Sequence, residues 1–232
     1  MKYEAVVFDL FGTLAHQFSL QPYIQVVHRM AAVLGADPED FTRLWFETGK
    51  LRGTSALQSI QASLEFMQDK MGLAKDQDKT KAAAELRLDY VRGLLTPLPY
   101  ALDTLARLRK RGLKIGLLSN CSVDVPEVWG GTPFGARLDV VVFSCQVGLN
   151  KPDPRIYRLV AERLGVRPEN CLYVGDGSSQ ELSGALAVGM HPVLIRNTDY
   201  DTSGEMQTDS EVESWKGPVI HSLREVLDLV ED

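Results

Sequence analysis

Beyond Thr96-Pro97-Leu98-Pro99 the sequence alternates between short apolar runs of strand length and amphipathic runs of helix length, and this alternation restricts the fold more than any other feature. Residues 114–118, 140–143, 172–174 and 193–195 read as strands. Between them apolar residues recur at helical spacing. Ala101, Leu105 and Leu108 form one such set, ended by Lys110-Arg111-Gly112. Ile156, Leu159, Val160 and Leu164 form another, opened by Pro154 and closed by Gly165, and Leu182, Ala185 and Leu186 a third, ending at Gly189. Strands joined through helices run parallel, and a parallel sheet is covered on both faces. The expected class is therefore α/β.

The first strand stands apart from the others. Ala5-Val6-Val7-Phe8 is a strand-forming run that stops at the carboxylate of Asp9, with a turn residue at Gly12 and a hydroxyl at Thr13. A buried strand that ends in an acid at a tight turn can present a nucleophile or a metal ligand; the same acid can also simply cap the turn. Helical patterns then take over. Ile24, Val27, Met30 and Leu34 share one face, closed by Gly35. Asp37-Pro38-Glu39-Asp40 is a helix start, with an acid at the cap and proline in the first turn, and Phe41, Leu44, Trp45 and Thr48 follow. A third helix is expected from Thr54 or Ser55, on Leu57, Ile60, Leu64, Met67 and Met71, and a fourth over 77–95 on Ala84, Leu88, Val91 and Leu95. Four helices with short links suggest a small bundle. The expected organisation is a core of residues 1–14 plus 97–232, with a helical domain of residues 15–96 inserted after the first strand. Residues 197–216 are polar and acidic and are expected to form a long mobile loop. Val219-Ile220 reads as an edge strand and Leu223, Val226, Leu227 and Val230 as a last helix.

Charge and cysteine usage narrow the partners. The 232-residue chain carries a net charge of -6, which argues against a nucleic-acid footprint, since that needs a basic face. An anionic small substrate would need a local cation or a bound metal to offset the field. Cys121, Cys145 and Cys171 lack metal-ligand spacing and are expected as buried free thiols. No stretch approaches the ~20 apolar residues of a membrane helix, and the first apolar run is too short for a signal peptide. A cytoplasmic protein without membrane or nucleic-acid partners is expected; its oligomeric state stays open.

Ligands of open parallel sheets bind at the carboxyl ends of the strands, and here those ends are polar. The first gives Asp9, the second Ser119-Asn120, and the third leads through Gly148-Leu149-Asn150 to Lys151. Leu172-Tyr173-Val174 ends in Gly175-Asp176-Gly177, with Glu181 about one helical turn on. Each has a local explanation: a loop cation for Lys151, a turn hydroxyl for Ser119, a helix cap for Asp176. Together, at equivalent ends of one sheet, they mark a site.

With FDLFGTL at 8–14, LLSN at 117–120, NKPDPRIY at 150–157 and VGDGSSQEL at 174–182, the chain resembles the haloacid dehalogenase-like (HAD) hydrolase superfamily over essentially its whole length. The resemblance implies a Rossmann-like core and makes the inserted helices the family's helical cap. It implies that Asp9 is a nucleophile forming a covalent enzyme intermediate. Ser119 and the backbone N–H of Asn120 would hold the transferred group, with Thr13 hydrogen-bonding nearby. Lys151 would neutralise nucleophile and substrate, and Asp176 would ligate Mg²⁺. The charges agree with this: one lysine against Asp9, Asp176 and Glu181 is insufficient, and oxygen-only ligands suit Mg²⁺. The expected metal set is Asp9, the carbonyl of Phe11, Asp176 and Glu181, the last directly or through water. The expected substrate is small, anionic and phosphorylated.

Phe11 departs from the pattern. The family's phosphatases carry an aspartate two residues after the nucleophile, as general acid and base; Phe11 can offer only its carbonyl. An aromatic there is similar to the family's 2-haloacid dehalogenases, which need no such acid because halide leaves unprotonated, and Tyr157 fits that branch too, although it is equally a packing residue. Those enzymes work without metal and lack the acid at Asp176. Three readings follow: a Mg²⁺-dependent phosphatase, a 2-haloacid dehalogenase, or a ligand-binding relative without turnover. His16, Arg43, Lys50 and Arg52 are cap residues that could assist, each otherwise expected as a solvated side chain.

Overall fold

The computed structural model describes residues 3–54, 56–202 and 210–231. β1 (Ala5–Phe8) is followed by five helices: α1 (Leu20–Leu34), α2 (Pro38–Glu47), α3 (Gly49–Arg52), α4 (Ile60–Met71) and α5 (Gln77–Leu94). The chain continues as α6 (Ala101–Lys110), β2 (Lys114–Ser119), α7 (Asp124–Trp129), β3 (Val140–Phe143), α8 (Ser144–Val147) and α9 (Pro154–Leu164). It closes with β4 (Cys171–Gly175), α10 (Glu181–Leu186), β5 (His191–Ile195), β6 (Val219–Ile220) and α11 (Val226–Leu229).

The six strands form one parallel sheet in the order β3-β2-β1-β4-β5-β6. β1 lies centrally, and Phe8 is in register with Leu117 of β2 and Val174 of β4. The sheet has two apolar faces because strand side chains alternate. Val6 and Phe8 belong to a cluster shared with α6 and the inserted helices; Ala5 and Val7 belong to one with α9 and α10. The α/β class and parallel sheet expected from the alternating pattern are what the chain forms.

The inserted helices follow their sequence signals with one shift. Asp37 caps α2, accepting from the Glu39 and Asp40 N–H groups at 3.0 Å each. Asp76 caps α5 in the same way. The third long helix, however, begins at Ile60 and not at Thr54, while Ser55 lies outside the described residues. Thr54 turns its hydroxyl back to the Lys50 carbonyl, 3.0 Å away, and so finishes the preceding turn. Ser59 supplies the cap instead, accepting from the Ala62 N–H at 3.0 Å. Leu186, expected on the buried face of α10, is exposed; Leu182 and Ala185 do the packing.

Contacts between insertion and core are polar as well as apolar. The Val123 N–H donates to the Arg52 carbonyl at 3.2 Å, and the Ile60 N–H to Glu127 Oε1 at 2.6 Å. Arg87 on α5 pairs with Asp124 at the start of α7, Nε to Oδ2 at 2.6 Å, both side chains buried.

The acidic segment is not a free loop where it is described; residues 203–209 lie outside the described residues. Glu211 is buried and accepts from the Leu182 and Ser183 N–H groups at 2.5 and 3.1 Å. Its charge meets the first turn of α10, which explains why an acid is buried there. Replacing Glu211 with alanine leaves those donors without their partner, a loss of about 1–3 kcal/mol in urea unfolding. A change within about 0.5 kcal/mol, the range of an ordinary surface substitution, would show that the segment is not anchored through this carboxylate.

Candidate active site

Three strand ends converge because β1, β2 and β4 are adjacent and in register. The Asp9 N–H donates to the Val174 carbonyl at 2.9 Å, which carries the β1–β4 ladder one residue past the strand. The chain then turns sharply around the Leu10 carbonyl, which accepts from the N–H groups of Thr13, Leu14 and Ala15. Gly12 makes the turn with φ +76°, and a Cβ there would lie 2.5 Å from Asp176 Oδ2. Glycine is required twice, for the left-handed backbone and for the approach of the second carboxylate.

Lys151 stands at the centre. Its Nζ donates to Asp9 Oδ1 and to Glu181 Oε2, both at 2.5 Å. The Asn120 side chain clamps the lysine's backbone: Nδ2 donates to the Lys151 carbonyl at 3.1 Å, and Oδ1 accepts from the Lys151 N–H at 2.8 Å. Asn120 thus spends its side chain on positioning the loop. Glu181 is fully buried, and both its oxygens are engaged. Oε2 also accepts from the Tyr173 hydroxyl at 2.7 Å and Oε1 accepts from the Gly177 N–H at 3.0 Å. Tyr157, packed edge-on against Tyr173, donates its hydroxyl to the Glu181 carbonyl at 3.0 Å and is a positioning residue here. Asp176 accepts from the Ser178 N–H and hydroxyl at 2.9 and 3.0 Å, and from Gln17 Nε2 at 3.2 Å.

These charges are poorly balanced. Burial, the Glu181 charge and, more weakly, Asp176 push the Asp9 carboxyl up to about 8 in spite of Lys151. Burial and Glu181 push Asp176 up to about 7. Burial alone would lower the ammonium of Lys151, but Asp9 and Glu181 outweigh it and hold the lysine charged. Asp9, Asp176 and Glu181 can each bring an oxygen within 4.8 Å of the others, all three buried. A hard divalent cation fits that donor set and would relieve the repulsion.

Two hydroxyls near the ends of β1 and β2 are buried. Thr13 Oγ1 has no hydrogen-bond partner among the described residues, while Ser119 Oγ has the Cys121 thiol beside it. Buried polar groups are nearly always satisfied, so the unsatisfied Thr13 hydroxyl, in the turn that follows Asp9, fits a ligand that accepts from it. Phe11 is buried with its ring 4.6 Å from that of Phe18 and offers no acid.

Above this floor is a cavity of ≈ 450 Å³, within the range of small-molecule sites. Asp9, Phe11 and Lys151 meet it from the core, and Phe18, Tyr23, Phe46 and Lys50 from the insertion. Of the four cap residues noted in the sequence, only Lys50 lines it. His16 packs against the Tyr200 ring and Arg43 pairs with Asp40 on the surface. Arg52, expected in solvent, is buried: its guanidinium lies 3.6 Å from the Trp45 ring centroid and donates to Thr48 Oγ1 and the Trp45 carbonyl. All three cysteines are free; Cys145 and Cys171 are buried, and Cys121 is half-buried at the cavity.

Sequence reasoning missed Gln17, Tyr173, Arg87 and Asp124. Arg87 had a signal: it falls three residues after Ala84 and four before Val91, on the apolar face of α5, where an arginine needs a reason. Asp124 had none, because α7 is too short to show a period.

Comparison with known proteins fits this geometry. Residues 3–189 match the family model described as haloacid dehalogenase-like hydrolase. The chain is 34% identical over 211 residues to Phosphatase MT3486 of Mycobacterium tuberculosis, covering 88% of this chain and 92% of that protein. It is 29% identical over 205 residues to (S)-2-haloacid dehalogenase 4A of Burkholderia cepacia, covering 82% of each. The crystal structure of a 2-haloacid dehalogenase from Pseudomonas syringae pv. tomato superposes with a TM-score of 0.68 at 22% identity, covering 98% of both chains, a likeness of fold. Among the described residues no helix is long and apolar enough to cross a membrane. With its motifs, parallel sheet and clustered strand ends, the chain belongs to the haloacid dehalogenase-like hydrolases.

Proposed function

We propose that this hydrolase is a Mg²⁺-dependent phosphatase of a small phosphorylated metabolite. The observation that carries the reading is the buried cluster of Asp9, Asp176 and Glu181 with Lys151 as its single cation. Such an excess of negative charge has no use in a site for anions unless a divalent cation joins it. Asp9, Asp176 and the Phe11 carbonyl would hold the ion, and Glu181, both of whose oxygens already accept from protein donors, would act on it through water. When bound, Mg²⁺ supplies the positive charge that lets a carboxylate approach a phosphoryl group. Residues 15–96 would act as the cap that closes over the substrate.

In this reading Asp9 attacks phosphorus, the bond from phosphorus to the leaving oxygen breaks, and an aspartyl phosphate forms. Water then cleaves the acyl phosphate and restores Asp9. Thr13 and Ser119 hydroxyls donate to the phosphoryl oxygens; Thr13, with no other partner among the described residues, is free to do so. Lys151 holds Asp9 in position and offsets the charge of the incoming anion. No side chain at position 11 can protonate the leaving oxygen, so the best substrates are acyl or aryl phosphates, whose leaving groups need little protonation. Phe11 also supports a second reading, a 2-haloacid dehalogenase, and the similarity to a protein of that name points the same way.

Turnover assays with aryl, acyl and alkyl phosphates and with 2-chloropropionate, each with Mg²⁺ or EDTA, separate the two. Phosphate release that needs Mg²⁺ is expected; chloride release that survives EDTA would sink the phosphatase reading. Replacing Phe11 with aspartate should raise turnover of alkyl phosphates by about tenfold or more, and of acyl and aryl phosphates much less. Equal gains across leaving groups would show that position 11 is not where a leaving-group acid is missing.

The charge cluster also gives a stability test. Without a divalent ion the folded protein holds protons on Asp9 and Asp176 up to about 8 and about 7, whereas the unfolded chain releases them near the ordinary value of 3.8. The folded state binds more protons across that window, so this contribution to stability falls as pH rises from about 4 to about 8. Thermal melts in EDTA should show that decline, saturating Mg²⁺ should flatten it, and Asp9→Asn should remove the share of Asp9 and leave that of Asp176. The same slope with and without Mg²⁺ would mean that no cation joins these carboxylates.

A further inference from the structure

The roof of the cavity carries a charge for which phosphoryl chemistry has no use. Arg87 is 2% exposed and lines the cavity with its guanidinium 4.7 Å from the Tyr23 ring centroid and 5.4 Å from that of Tyr90. Its Nε is committed to Asp124 Oδ2 at 2.6 Å, but its Nη1 is buried with no hydrogen-bond partner among the described residues. Near it is Arg52, also buried, whose hydrogen bonds go to the neutral Thr48 and Tyr23 hydroxyls and the Trp45 carbonyl.

Two buried guanidiniums therefore share one carboxylate, that of Asp124, whose other oxygen accepts from the Ser122 hydroxyl at 2.5 Å. One positive charge is left over in the interior. Burial, above all, pulls the Arg52 guanidinium down to about 10, and the positive charge of Arg87 adds to the pull. Tying insertion to core would need only the Arg87–Asp124 pair; it would need neither the second arginine nor an unpartnered Nη1 on a residue that lines the cavity. An unpartnered buried donor of this kind is destabilising unless a ligand satisfies it.

The cavity is thus bipolar, with carboxylates and Lys151 at the floor and surplus positive charge at the roof. Between them the walls are aromatic: Phe11 against Phe18, and Tyr23 stacked on Phe46 at 5.6 Å. A single surplus charge matches a monoanion better than a second, dianionic phosphoryl group.

We propose that Arg87 is a specificity-determining residue that receives a carboxylate of the substrate at its free Nη1, so that the substrate is a phosphate monoester bearing a carboxylate across an aromatic or apolar body. The phosphate end of this inference rests on the phosphatase reading; the carboxylate end does not.

The test compares 3- and 4-carboxyphenyl phosphate with their neutral carbamoyl counterparts, Mg²⁺ present, alongside calorimetric titration of the full chain with benzoate. For at least one ring position the wild-type protein should favour the carboxylate by about tenfold or more in kcat/KM, the worth of one charge-assisted hydrogen bond. In Arg87→Lys and Arg87→Met that ratio should fall to about threefold or less, through KM, whatever the absolute rates. Benzoate should bind the wild type and be lost in both variants. Should the variants fail to fold, the wild-type ratio still decides. Turnover of all the esters with no carboxylate preference, and no benzoate binding, overturns the inference and leaves the phosphatase reading standing. Arg87-dependent benzoate binding without turnover of any ester does the reverse.

Discussion

The structure of the site depends on one ammonium group. Lys151 Nζ sits between Asp9 and Glu181 at 2.5 Å from each, with Asp176 close by. Without it three carboxylates would be buried together unopposed, which no packing of the surrounding apolar side chains could sustain. Much nearby structure serves to keep that cation in place. Asn120 clamps its backbone from the end of β2, and Tyr173 and Gly177 hold Glu181 from β4 and the turn after it. Positions that are glycine near this point make room for carboxylates: a Cβ on Gly175 would lie 2.1 Å from Glu181 Oε1. Three strand ends are bound to one another through Lys151: Asp9 and Glu181 meet its Nζ, and Asn120 holds its backbone.

The second feature of the molecule is the asymmetry between floor and roof. Negative charge is in excess on the core side, positive charge on the side of the insertion, and aromatic rings separate them. Phe11 belongs to both parts: its backbone lies two residues after Asp9 and its ring packs on Phe18 of the insertion. The residue that removes an acid from the site also supplies apolar wall to the cavity. Absence of an ionisable group beside Asp9 and gain of an apolar cavity wall are thus two effects of one side chain.

Most of the fold was legible in the sequence because its signals are local and repeated. Alternating strand and helix patterns give a parallel sheet, and Asp37-Pro38, Gly35 and Gly165 mark helix ends where they are found. The floor of the site was legible for a related reason: each strand ends in a polar residue, and parallel register brings those ends together. The roof was not. Arg52 and Arg87 read as solvated or as unremarkable: the burial of Arg87 depends on Asp124, 37 residues away, and that of Arg52 on folding back over Trp45 from the next short helix, which no periodic pattern announces. Glu211 was hidden in the same way, within an acidic stretch that looked like solvent-facing loop. Thr54 misled because a hydroxyl before an apolar stripe looks the same whether it starts one helix or finishes another.

The central place of β1 has a consequence for how the molecule comes together. Asp9 is synthesised first, yet its partners lie 142 residues away at Lys151 and further still at Asp176. The sheet joins them only when β4 docks beside β1, so the carboxylate cluster is closed late and by non-local contacts, the slow kind. Lys151 precedes β4 in the chain and can already lie against Asp9 when Asp176 and Glu181 arrive. The order of residues along the chain thus places Lys151 after Asp9 and before Asp176 and Glu181, so the cation is in hand when β4 brings the last two carboxylates to β1.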